Sequence, residues 1–172
     1  MISIPDRLLI NGREPYQEFE PEEPLYFRFS SEHFPDETRL PVAAIRFPDF
    51  SVNRGKESQP TDVLIPHWVE FGIAEFEVRA IPLPYLSGDG RKFEFKVVHD
   101  PIDAKHPYYG AANQSFENYA HSEIRAFVGT EHQKKKIPEF IKKQFRLKMS
   151  DNTKIVVLLC PAPIVETLSS QD

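Results

Sequence analysis

Between residues 99 and 125 the chain concentrates the side-chain types that move protons. His121, Glu123 and Arg125 recur at every second position of Asn118-Tyr119-Ala120-His121-Ser122-Glu123-Ile124-Arg125-Ala126. On an extended strand these three share one face, and Ile124 and Ala126 point the other way, toward a core. A carboxylate two residues along sits beside the imidazole, raises its pKa and fixes its tautomer, while an arginine holds an anion. His99 closes the preceding alternating segment and supplies a second proton-transfer group. Two imidazoles with an arginine clamp suffice for metal-independent cleavage of a phosphodiester or a glycosidic-type bond. The expected roles are His121 as acid/base, Glu123 as its orienting or proton-accepting partner and His99 as the complementary group. Arg125, with Arg54 or Arg28, would hold the anion, and Asn118 and Ser51 would add substrate contacts. The same triplet is also what a solvated sheet face with cross-strand ion pairs presents.

Two further stretches carry anion-binding types. Phe50-Ser51-Val52-Asn53-Arg54-Gly55-Lys56-Glu57-Ser58 follows Pro48 and reads as a loop whose cations and hydroxyls could grip a phosphate, or as an exposed turn. Arg28 and Ser30 share the polar face of their strand, with His33 just beyond. A third feature is basic: from Glu131 to Lys148 seven Lys and Arg stand against Glu131 and Glu139, a local excess of five positive charges. Lys142, Lys143 and Arg146 lie on the outer face of the helix expected there and would attract nucleic acid or an acidic protein. Ordinary amphipathic helices carry similar faces.

Several chemistries are excluded by missing motifs. No glycine-rich phosphate loop of either the Walker or the dinucleotide kind is present, nor a G-x-S-x-G elbow, an H-E-x-x-H or an EF-hand loop. His121-Ser122-Glu123 has the H-x-E of zinc deaminases but no Pro-Cys-x-x-Cys to complete the metal site. The six histidines show no pair at helical ligand spacing, so no metal and no cofactor is expected. Cys160 reads as a packed thiol, and His67 and Trp68 as core or core edge.

The elements that must position these residues follow from the patterning of a 172-residue chain with a formal charge of −5. Sixteen prolines against seven glycines predict short elements joined by stiff loops, and fourteen phenylalanines suit half-buried strands. Leu25, Phe27 and Phe29, then Ala74, Phe76 and Val78, then Phe93, Phe95 and Val97 alternate with polar neighbours and predict strands. The last two read as antiparallel neighbours joined through residues 80–91. Val42 to Phe47 reads as another strand, and Ile155 to Cys160 as a strand covered on both faces. Ile137, Phe140, Ile141, Phe145 and Met149 repeat at helical spacing, with Pro138 suited to a first turn. A helical turn is expected at Thr61 to Leu64.

The expected fold is a single α+β domain over residues 1–172: a mostly antiparallel sheet, one C-terminal amphipathic helix, a buried last strand and Pro-rich loops. Residues 1–24 form an acidic, irregular entry segment, and 166–172 a frayed tail. One cysteine and no secretory-type start predict a reducing cytoplasm. No apolar run approaches the roughly 20 residues of a membrane helix. Two functions fit these features. One is a small intracellular enzyme using His/Glu acid–base chemistry on RNA or a nucleotide. The other is a non-catalytic subunit that docks protein or nucleic acid through the basic helix. Oligomeric state is not encoded in any pattern read here.

Overall fold

The computed structural model describes residues 4–35, 39–48, 50–64, 71–103 and 117–157. Period-two alternation resolves there into eight strands: β1 (Pro24–Ser30), β2 (Phe50–Arg54), β3 (Phe71–Glu77), β4 (Tyr85–Leu86), β5 (Lys92–His99), β6 (His121–Val128), β7 (Glu131–Gln133) and β8 (Lys154–Val157). Their order is β4-β5-β6-β2-β1-β3-β8, with β7 adding to β6. Every strand pairing among the described residues is antiparallel. The sheet curls into a half-barrel and carries one α-helix among the described residues, α1 (Glu139–Asn152), so the α+β, mostly antiparallel class holds.

One face of the sheet is the core. Leu25, Phe27 and Phe29 of β1, Phe50 and Val52 of β2, Ala74 and Phe76 of β3, Phe93 and Phe95 of β5, and Ile124 and Ala126 of β6 are all buried on it. Helix α1 lays Ile141, Phe145 and Met149 against that face. The Phe145 ring stacks on Phe47 at 4.0 Å and meets Phe95 at 5.0 Å. Each such ring removed from water contributes about 1.5–3 kcal/mol, which makes this aromatic cluster the main adhesive between helix and sheet. Polar bonds fix the helix's position: Arg146 donates to the Phe47 carbonyl at 2.8 Å and Ser150 to the Leu40 carbonyl at 2.6 Å. Gly72 is required where β3 passes β1, because a Cβ there would lie 2.3 Å from the Phe29 ring.

Several elements differ from the sequence expectation. Strands β3 and β5 are not neighbours: β6, β2 and β1 lie between them. The connection through residues 80–91 instead contributes β4, which pairs with β5 around the turn at Ser87–Gly90. Val42 to Phe47 is not a strand. After Pro41 the segment closes a 3-10 turn, Val42–Ala44, whose amides bond backwards rather than to a ladder, while Ala44, Ile45 and Phe47 still enter the core. The last strand is not enclosed as far as it is described, since β8 ends the strand order and Val156 is 38% exposed. Helix α1 begins at Glu139, with Pro138 preceding it as the cap whose carbonyl accepts from Ile141 and Lys142. The helical turn after Pro60 is present as the 3-10 segment Pro60–Leu64. His67, Trp68, Cys160, the tail at 166–172 and residues 104–116 of the long loop lie outside the described residues.

Candidate functional site

Strand register decides which candidate residues meet. Across β5 and β6, His99 stands opposite Ser122 and Val98 opposite Glu123. Directly opposed residues project to the same side of a sheet and successive residues to opposite sides. His99 therefore projects to the core side with Ser122, while His121, Glu123 and Arg125 project to the outer side. The sheet itself separates the two histidines expected to share a reaction centre. His99 is in phase with the buried Phe93 and Phe95, whereas His121 is out of phase with the buried Ile124 and Ala126.

On the core side, beyond the aromatic cluster, the half-barrel ends in polar residues sealed by the N-terminal segment. His99 is 2% exposed, and both ring nitrogens are used. Its Nε2 meets the Tyr119 carbonyl at 2.6 Å, and Nδ1 accepts from the Tyr16 amide at 3.1 Å. That pair of contacts fixes a neutral ring with the proton on Nε2. Burial also pushes the His99 pKa below its ordinary value, with the positive charge of Arg54 acting in the same direction. Gln17 clamps the same residue's backbone, donating to the His99 carbonyl and accepting from its amide, both at 3.0 Å.

Arg54 is the second anchor. Its side chain has no exposed surface and forms a two-pronged pair with Glu23, both contacts at 2.9 Å. It also donates to the Glu18 carbonyl at 2.8 Å and the Tyr16 carbonyl at 3.2 Å, between the rings of Tyr16 (3.9 Å) and Phe19 (4.1 Å). These bonds take up four of the five guanidinium N–H donors, and Glu23 already supplies the anion. Arg54 belongs to β2, not to an exposed loop, and it fastens the entry segment to the sheet. Tyr16 completes the cluster by donating to Glu57 at 2.7 Å; burial and that carboxylate push its pKa up. The N-terminal partners Tyr16, Gln17 and Glu23 carried no sequence signal, because an irregular acidic stretch does not announce which buried cation it will meet.

The outer face does gather several candidates. Ser51 lies directly opposite Glu123 and Asn53 opposite His121. Arg125 pairs with Glu123 at 2.8 Å and with Asp100. His121, 9% exposed, has Nδ1 2.7 Å from the Asp100 carbonyl, which places the proton on Nδ1 in the neutral ring. Glu123 thus engages the arginine, not the imidazole. Asn118 donates from Nδ2 to Asn53 at 2.8 Å, leaving the buried Asn118 Oδ1 and Asn53 Nδ2 without a hydrogen-bond partner. Arg28 projects from the exposed side of β1, donates to the Val63 carbonyl at 3.3 Å and lies 5.5 Å from the Phe71 ring centre. A cavity of about 640 Å³ lies elsewhere, against Tyr26, Glu75, Glu77, Arg79 and Lys154, and none of the candidate residues lines it. No group of three His, Cys, Asp or Glu among the described residues is arranged to hold a metal ion.

The basic region differs in kind. Lys142 pairs with Glu139 at 3.1 Å, and Arg146 reaches the same carboxylate at 3.7 Å besides its bond to Phe47. Lys135, Lys136, Lys143 and Lys148 are exposed, and no described residue forms an ion pair with them. Among them stands Phe140, 51% exposed in the first turn of α1. Sequence spacing grouped Phe140 with the core residues. On a helical wheel, however, Ile141, Phe145 and Met149 define the buried stripe and Phe140 falls well off it, so a stricter period would have exposed it. The described residues contain no helix long and apolar enough to cross a membrane. Comparison with protein-family models, curated proteins and solved structures found no match for this chain.

Proposed function

We propose that this protein is a non-catalytic binding module that presents the N-terminal half of α1 and the turn before it to nucleic acid. The observation that carries this reading is the set of three exposed lysines there, Lys135, Lys136 and Lys143, without carboxylate partners on a chain of net charge −5. An acidic protein gains little by leaving like charges grouped and unpaired, whereas phosphate backbones are bound through such groups by counterion release. The buried histidine and arginine support the same reading from the other side, since their bonding capacity is spent on backbone and Glu23.

Fluorescence anisotropy of a labelled oligonucleotide across a salt series tests it. Each phosphate contact contributes roughly 0.7–0.9 to the slope of log affinity against log salt, so about three lysines give a slope between about −2 and −3. Lys135→Glu with Lys143→Glu should lower both affinity and slope. A flat salt response, or the same response in the double variant, would sink the reading.

A second reading keeps phosphodiester or nucleotide cleavage on the outer face, with His121 as acid/base, Arg125 and Ser51 toward the anion, and His99 left out. The unpartnered buried amide atoms of Asn53 and Asn118 beside His121 favour it, because a bound group could satisfy both. His121→Ala retaining full turnover on any substrate the wild type cleaves would dispose of it.

A further inference from the structure

Resting on the nucleic-acid reading, we propose that the basic patch selects single-stranded over double-stranded nucleic acid, with Phe140 as the platform on which a base stacks. A half-exposed phenylalanine is the unusual feature here: among the described phenylalanines it alone stands exposed. It stands in the first turn of α1, and Lys143, three residues on, shares its face of the helix. Lys135 and Lys136 lie in the turn just ahead, within a few residues of chain. An aromatic ring bordered by unpaired ammonium groups is the combination that holds single strands, the ring taking a base face and the lysines the flanking phosphates.

A duplex cannot use the same ring. Its base faces are covered by stacking, and phenylalanine has no donor or acceptor with which to read a groove edge. The one carboxylate in the first turn, Glu139, does not repel the strand freely, because Lys142 and Arg146 bracket it at 3.1 Å and 3.7 Å.

The test compares a labelled 12-nucleotide oligo(dT) and oligo(rU) with a hairpin duplex of matched length, all at low salt. The expected result is tighter binding of the single strands. Phe140→Ala should weaken them by about five- to a hundredfold, while duplex affinity stays within about twofold. Phe140→Leu separates stacking from general apolarity, and should resemble the alanine variant. Equal or tighter duplex binding overturns the single-strand assignment while leaving nucleic-acid binding intact, as does single-strand affinity unchanged in Phe140→Ala. Absence of binding to every oligonucleotide overturns the underlying reading as well.

Discussion

Arg54 stands at the sealed end of the sheet with none of its side chain exposed, whereas Lys143 stands on α1 in solvent with no ion pair. Both bear one positive charge. Arg54 is surrounded by Glu23, two backbone carbonyls and two aromatic rings, so its charge is consumed in holding residues 16–23 to β2. Lys143 is consumed by nothing in the described structure. Charged residues inside this protein build it, and those left unpaired outside are what it can offer to a partner. His99 repeats the lesson: its two ring contacts are backbone groups, and they tie the entry segment to the turn that leads into β6.

The contrast sharpens most at Arg54. Replacing it by methionine strands the Glu23 carboxylate in a buried site, and should cost about 3–5 kcal/mol of stability by urea unfolding. Adding Glu23→Gln should recover part of that loss; a double variant no better than the single would mean that the ring contacts and carbonyls dominate.

Next in size is the pH response of His99. Burial holds its folded pKa below the unfolded value of about 6.5, so the unfolded chain takes up the proton first. Stability should fall as pH drops below about 6.5, by at most about 1.4 kcal/mol per pH unit, and level off once the folded ring also protonates. His99→Gln keeps a donor and an acceptor but no titration, and should flatten this arm in unfolding midpoints measured from pH 7 to 5. An unchanged arm would assign the acid response to the carboxylates.

Smaller still is the outer face. Arg125→Gln removes pairs whose members keep roughly a quarter to two-fifths of their side-chain surface in water, and should cost no more than about 1 kcal/mol. The smallest effect belongs to Lys143→Gln, within about 0.5 kcal/mol of wild-type stability even though it should weaken oligonucleotide binding. A large loss of stability there would erase the distinction between charges that build and charges that bind.

Alternation made β1, β3, β5 and β6 readable without coordinates, since a strand with one dry face must place an apolar residue at every second position. The phase of β6 was readable as well: Ile124 and Ala126 are buried in the core. Short strands without a clean pattern were not readable, among them β4, β7 and the polar-ended β2. Neither was the partnership of strands, because alternation says which side a residue takes but not which strand lies beside it. The separation of His99 from His121 was legible in the two periods: His99 is in phase with the buried Phe93 and Phe95, and His121 is out of phase with the buried Ile124 and Ala126.

By itself, then, the chain determined the antiparallel α+β class, the buried stripe of α1 and the local excess of lysine, all properties of neighbouring residues along one element. Tertiary structure alone decided that Arg54 is spent on Glu23 and His99 on Tyr16 and Tyr119. The physical reason is distance along the chain. Arg54 and Glu23 are 31 residues apart, and His99 and Tyr16 are 83 apart. No local propensity encodes pairs formed only when the sheet closes.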